Sequence, residues 1–139
     1  MPAKDIYHQV VKQALIKAGW TITHDPYPLV WAKRNLSIDL GAEQLLAAEN
    51  NERKIAVEVK SFIRESRIAD LEQALGQYTI YYDILKRTES ERQLYLALPL
   101  NAFTELFEGE KFGQILLDNN RLNLVVFNSK TEEVVQWIG

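Results

Sequence analysis

Three residues offer this chain its clearest chemistry: Asp39, Glu58 and Lys60. Glu58 and Lys60 belong to the run Ile55-Ala56-Val57-Glu58-Val59-Lys60, where β-branched residues alternate with the others. Side chains two apart on a strand share a face, so Glu58 and Lys60 would project together about 7 Å apart. Asp39 is the only charge between Leu36 and Leu40 in a second alternating run. If the two runs pair, one carboxylate from each meets the other with an ammonium alongside. Asp39, Glu58 and the Val59 carbonyl then suit a hard cation such as Mg²⁺ or Mn²⁺. Such a cation lowers the pKa of a bound water and neutralises a phosphodiester, while the Lys60 ammonium steadies the transition state or the attacking water. The chemistry indicated is phosphodiester hydrolysis. The competing reading is a half-exposed strand with ordinary ion pairing. Acid-x-Lys also occurs at Glu52-Arg53-Lys54, in a polar turn without an upstream strand partner, and that copy reads as solvated surface. In an apolar strand a charge costs free energy unless it is paired or liganded.

Other candidates surround this trio. Glu43 follows Asp39 by four positions and is either a third acid or a solvated loop residue. Gln73, Gln77 and Tyr81 fall at i, i+4 and i+8, one helix face, which is either an auxiliary edge of the site or a plain polar edge. Asp5 and His8 lie three apart on the first helix; Asp5 reads as an auxiliary acid or a cap, and His8 as solvated. Arg64 and Arg67, near Lys60, could form a rim facing DNA phosphates, diluted by Glu65 and Asp70. His24 reads as structural or exposed. Trp20, Trp31 and Trp137, with Phe103 and Phe107, read as core. Tyr81 and Tyr82 are adjacent on a helix and cannot both face inward, which leaves one for a partner.

The elements that must position these residues follow from periodicity. Ile6, Tyr7, Val10, Val11, Ala14, Leu15 and Ala18 predict a first helix that stops at Gly19. Thr21 to Thr23 begins extended chain, and Asp25-Pro26-Tyr27-Pro28 reads as a turn or edge. Leu29 to Ala32, Leu36 to Leu40 and Ile55 to Val59 read as strands, with a turn at Lys33-Arg34-Asn35 and another at Asn50-Asn51. Leu45-Leu46-Ala47-Ala48 fits either a strand extension or a helical turn. Ser66 is positioned to cap a long helix with Ile68, Leu71, Ala74, Leu75, Tyr78, Tyr82 and Leu85 as its apolar stripe. Leu94 to Leu98 reads as a buried strand, then short helices around Phe103 to Phe107 and Gln114 to Leu117, then a strand pair at Leu122 to Phe127 and Val134 to Ile138. Strands on both sides of a long helix predict a mixed α/β fold in one domain, residues 1–139.

Composition narrows the function classes. With 139 residues, 47% hydrophobic and 25% charged, the chain has globular composition, not that of a disordered tail or fibre. It has no cysteine, which excludes disulfides, Cys-ligated zinc and thiol catalysis. No apolar run approaches the roughly 20 residues of a membrane span, and the N-terminus lacks a signal-peptide core. A cytoplasmic protein without membrane contact is expected. The net charge of −3 excludes a strongly basic nucleic-acid coat. Residues 1–70 hold 10 basic and 9 acidic side chains, and residues 71–139 hold 6 and 10, so contact with a polyanion falls to the first half.

Taken together, Ser37-Ile38-Asp39-Leu40-Gly41-Ala42-Glu43, Ile55-Ala56-Val57-Glu58-Val59-Lys60-Ser61-Phe62 and Gln73-Ala74-Leu75-Gly76-Gln77-Tyr78 resemble the XisH-like family, the fdxN element excision controlling factors of cyanobacteria. Ala3-Lys4-Asp5-Ile6-Tyr7-His8 and Val134-Val135-Gln136-Trp137-Ile138 extend the likeness over nearly the whole chain. That family in turn resembles the PD-(D/E)xK, restriction-endonuclease-like superfamily. The resemblance implies an α-β-β-β-α-β core with further helices and strands at the C-terminal end. It places Asp39, Glu58 and Lys60 on catalytic positions, with Asp39, Glu58 and Val59 around Mg²⁺ or Mn²⁺. Ile38 stands where the motif name has proline. Gln77-x-x-x-Tyr81 resembles a motif of RecB-type nucleases in that superfamily, whose glutamine lies beside the metal. The implied biology is DNA processing in programmed excision, with DNA, a recombinase or a companion excision factor as partner, and with a homo-oligomer also compatible. A nuclease fold that binds these partners without cutting is the alternative.

Overall fold

The computed structural model describes residues 4–46, 51–109, 111–120 and 122–139. In chain order the elements are α1 (His8–Lys17), β1 (Thr21–His24), β2 (Tyr27–Trp31), β3 (Arg34–Ile38), β4 (Leu40–Leu46), β5 (Asn51–Val59), α2 (Arg67–Thr88), β6 (Arg92–Pro99), α3 (Leu100–Phe103), a π-helical turn (Thr104–Gly109), α4 (Gln114–Asp118), β7 (Leu124–Asn128) and β8 (Glu133–Ile138). The mixed α/β class expected from the alternation of elements is the one adopted.

Six strands form one mixed sheet in the order β1-β4-β5-β6-β7-β8. The β5–β6 and β6–β7 pairs are parallel, and the others are antiparallel. A sheet covered on both faces needs apolar residues on both, and the central strands supply them. Val57, Ile55 and Val59 of β5 face α1 together with Val11, Leu15 and Trp20. Ala56 of β5 and Leu94, Leu96 and Leu98 of β6 face α2 through Leu71, Ala74 and Tyr78. Burying a Leu or Val side chain contributes about 1.5–3 kcal/mol, so these two clusters hold the sheet between its helices.

β2 and β3 leave the main sheet and form a separate two-stranded ribbon, with Trp31 opposite Arg34 and Tyr27 opposite Ile38. β1 and β4 are antiparallel neighbours, so residues 25–39 are in effect the loop of a long hairpin, itself folded into a ribbon. Tyr27 closes the ribbon onto the sheet over Gly41, where a Cβ would meet the Tyr27 ring at 2.9 Å and His24 at 3.1 Å. Only glycine permits that approach.

The strand read from Leu36 through Leu40 is therefore two strands, broken at Asp39. The turn expected at Lys33-Arg34-Asn35 lies one residue earlier, at Ala32-Lys33, and Arg34 and Asn35 are already in β3. β4 runs through Leu45 and Leu46; the remainder of that stretch and Asn50 lie outside the described residues. α1 stops at Gly19, φ +94°, as expected, but of the expected stripe Ile6 and Ala18 are exposed, and His8 is buried. On α2, Ser66 caps through its hydroxyl, which accepts the Ala69 N–H. Its inward stripe uses Asp70 and Ile84 in place of the expected Ile68 and Tyr82, which are exposed. Trp20, Phe103 and Phe107 are buried, whereas Trp31 stands exposed on the ribbon. Among the described residues no helix is long and apolar enough to cross a membrane.

Candidate active site

Asp39 and Glu58 meet where the β4–β5 ladder ends. Leu40 pairs with Val57, so the next step outward sets Asp39 beside Glu58. Here the two side chains replace the ladder. The Val59 N–H donates to Asp39 Oδ2 at 2.7 Å, and the Asp39 N–H donates to Glu58 Oε1 at 3.1 Å. Each acid thus satisfies a backbone donor of the other strand, which fixes both carboxyl groups. The Lys60 N–H continues outward to the Ala97 carbonyl at 2.9 Å, holding Lys60 in line with β6. Phe62, two residues on, is buried with φ 56°. A bulky side chain in that left-handed region is strained, and here the strain turns the chain away from β5 directly after Lys60 and Ser61.

The electrostatics of the pair are those of two acids crowded out of water. Burial, then the Asp39 charge, pushes the Glu58 carboxyl up to about 8. Burial also raises Asp39, against the hydrogen bond from Val59 that lowers it. Both shifts mean that two negative charges here need a compensating positive charge. The Glu58 carboxyl, when protonated, also donates a hydrogen bond to the Asp39 carboxylate, so the pair shares one proton until a cation replaces it. With that proton displaced, two carboxylates beside the Val59 carbonyl are a donor set that fits Mg²⁺ or Mn²⁺, which keep several waters.

Both acids open into a cavity of about 500 Å³. Lys60 and Val59 form its floor with them, Gln77 and Tyr81 of α2 one wall, and Asn35 and Ser37 of β3 another. Burial, then the charges of Glu58 and Asp39, raises the Tyr81 phenol, so it stays protonated and can donate. Tyr81 is half-buried and Tyr82 exposed, which resolves the adjacent pair. Gln73 lies at the rim, its Oε1 accepting from Lys60 Nζ at 2.9 Å and from Arg64 at 3.2 Å. Asp5 joins two segments, accepting the Tyr7 N–H at 2.9 Å and the Ser61 N–H at 3.0 Å. It ties the segment that leads into α1 to the chain beyond Lys60.

Three expected residues sit elsewhere or are otherwise engaged. Glu43 is carried along β4 away from the pair and faces Arg92 at 3.6 Å, because four strand residues advance about 13 Å. Arg64 is paired with the buried Asp70. Arg67 is paired with Glu105 at 3.3 Å. Sequence reasoning missed the role of Asp25 and misread His8 as solvated. His8 is 3% exposed, not solvated, and its Nε2 lies 2.7 Å from Asp25 Oδ1, with Lys12 Nζ donating to Oδ2 at 2.9 Å. The signal was available: His8 precedes Val11 and Leu15 by three and seven positions, on the buried stripe of α1. His24, expected structural or exposed, packs edge-on against Tyr27 at 5.0 Å.

The XisH protein family matches residues 1–135 of the chain. Two solved structures are similar throughout. A fdxN element excision controlling factor protein from Anabaena variabilis is 37% identical, with a TM-score of 0.85, covering 98% of this chain and 100% of its own. An XisH family protein from Nostoc punctiforme PCC 73102 is 38% identical, with a TM-score of 0.80, covering 97% and 100%. No curated protein matches the chain.

Proposed function

The chain belongs to the XisH family, and on that premise we propose that it hydrolyses phosphodiester bonds of DNA with Mg²⁺ or Mn²⁺ at Asp39 and Glu58, in the control of programmed DNA excision. The observation that carries this reading is the convergence of those two carboxyl groups from adjacent strands, each fixed by a backbone donor of the other, beside Lys60. The order of main-sheet elements, α1-β1-β4-β5-α2-β6, supports assignment to the PD-(D/E)xK superfamily.

When bound, the cation supplies a more acidic water and neutralises charge on the phosphate. The protein does the rest. Asp39, Glu58 and the Val59 carbonyl would hold the ion. Gln73 steadies the Lys60 ammonium at the rim, where it faces a phosphate oxygen or the attacking water. The Gln77 amide and Tyr81 hydroxyl line the same cavity and supply donors to the nucleic-acid backbone. The reading places the protein in the cytoplasm, with DNA as substrate and a recombinase or companion excision factor as protein partner.

The alternative is a nuclease fold that binds without cutting. It is favoured by one observation: the two acids already serve each other's backbone, a purely structural duty. Incubating plasmid and linear DNA with wild type and Asp39→Ala in Mn²⁺ separates the two. Cleavage by wild type that drops at least 100-fold in the variant supports hydrolysis. Equal cleavage, or none by either, leaves the binding module.

A further inference from the structure

The loop between β1 and β4 is longer than a hairpin needs. Connections of this type commonly take 2–5 residues. Residues 25–39 instead fold into the β2–β3 ribbon. Its inner face is anchored: Tyr27, Leu29 and Ile38 are buried in the core beside α2, with Leu36 packed against them. Its far end is not. Val30 and Trp31 are 58% and 44% exposed, and Lys33 and Arg34 are exposed and paired with no described acid. Arg87 of α2 adds a third cation, its guanidinium 6.0 Å from the Trp31 ring. Pro26 to Ile38 contains no acid at all.

The turn at the tip repeats the message. Ala32 and Lys33 have φ of 49° and 66°, a two-residue turn of the kind normally made by Asn-Gly or Asp-Gly. Non-glycine residues in that region are strained, and strained turns of this sort concentrate at functional positions. Here the strain holds a lysine at the apex in place of a glycine.

We infer that the β2–β3 ribbon is the arm with which this protein grips duplex DNA, Lys33 and Arg34 meeting backbone phosphates while Asp39 and Glu58 receive the phosphate to be cut; the cutting half of that statement rests on the function proposed above. A two-stranded ribbon fits the major groove of B-DNA, about 12 Å wide. Arg34 lies five positions before Asp39, about 17 Å of extended chain. That is the rise of about five base pairs, so the tip contacts the duplex about half a turn from the cleavage point. Asn35 and Ser37 line the cavity on the way, and no flexible joint intervenes, because Ile38 is buried directly before Asp39. The ribbon thus sets which phosphate reaches the acids.

The test uses the full chain and a 30-bp duplex of mixed sequence, with Ca²⁺ present, followed by fluorescence anisotropy from 50 to 200 mM KCl. Lys33→Ala with Arg34→Ala should make the slope of log affinity against log salt shallower by about 1.8, two phosphate contacts' worth, and weaken binding about tenfold at low salt. Lys130→Ala, an exposed lysine in the turn between β7 and β8, should keep the wild-type slope. Ethylation interference should mark phosphates about five nucleotides from the cut. Both substitutions lie on an exposed turn, and a matching thermal transition shows that the fold is intact. A wild-type slope in the double variant, or no preference for the duplex over a 30-nucleotide single strand, overturns the ribbon assignment. Ribbon-dependent binding with no cleavage in Mn²⁺ retains the arm and removes the catalytic reading. Cleavage lost in Asp39→Ala but untouched by the ribbon substitutions does the reverse.

Discussion

Replacing Glu58 by glutamine should stabilise the metal-free protein at neutral pH, the opposite of what most substitutions of half-buried residues do. The Glu58 carboxyl is raised from its ordinary 4.5 to about 8 by burial and by Asp39. Below pH 4.5 the group is protonated whether the chain is folded or unfolded, and no penalty exists. Between 4.5 and 8 the unfolded chain ionises while the folded one keeps the proton, so stability falls as pH rises; above 8 the penalty is constant. At about 1.4 kcal/mol per pH unit the loss reaches about 3 kcal/mol at pH 7, and screening through the open cavity reduces it to about 2 kcal/mol. Glutamine keeps the carbonyl that accepts the Asp39 N–H and never ionises, so Glu58→Gln recovers that amount. For a chain of this length the gain is about 5–8 °C in Tm. Thermal melts in EDTA at pH 4.5, 7 and 8.5 provide the assay, with the variant's advantage growing from near zero to its plateau. Mn²⁺ should then raise the Tm of wild type and not that of the variant. A variant less stable than wild type at pH 7 in EDTA, or a difference that does not vary with pH, would refute the crowding of the two acids.

The remaining predictions concern the framework around the site. Tyr78 donates to the Leu94 carbonyl and accepts the Asn123 N–H, both at 3.1 Å, and burial pushes its phenol up to about 12. Tyr78→Phe leaves the part-buried Asn123 N–H without its acceptor and should cost about 1 kcal/mol in urea denaturation, with the m-value unchanged. Asp25 loses some ionisation tendency to burial, but hydrogen bonds from Lys12 and His8 outweigh it and hold the carboxyl below its ordinary 3.8. Its contribution is therefore present above pH 3.8 and lost as pH falls through the lowered value. Asp25→Asn should cost about 1 kcal/mol at pH 7 and nothing near pH 2, as read from paired denaturation curves.

The sequence announced the acids better than the chain path between them. Alternation in Ile55 to Lys60 placed Glu58 and Lys60 on one face because period two survives wherever a strand packs on both sides. The same alternation from Leu36 to Leu40 concealed the break at Asp39: β3 and β4 keep the rhythm although they belong to different sheets. Ile68 and Tyr82 looked inward because an apolar stripe has a width. Which edge is covered depends on neighbours far along the chain, and here Arg64 draws Asp70 under the helix start. Arg64 and Arg67 read as free cations because ion pairs with Asp70 and Glu105 depend on tertiary proximity. His8 was legible by position on α1, but its partner, 17 residues away at Asp25, was not.

The break at Asp39 also explains why the ribbon and the acids form one device. The excursion that makes the ribbon leaves the main sheet after His24 and returns at Leu40. Both feet are fastened by carboxylates at the same cavity. Asp25, at the departing foot, is clamped to α1 by His8 and Lys12. Asp39, at the returning foot, is clamped to β5 by the Val59 N–H. A hairpin held at one foot could pivot; held at both, with Tyr27 seated over Gly41, it can only move with the sheet. The distance from the cationic tip to the acidic pair is then a fixed length of strand. In the proposed complex with DNA, a rigid span of that kind would select a phosphate by its position along a duplex, without reading a base.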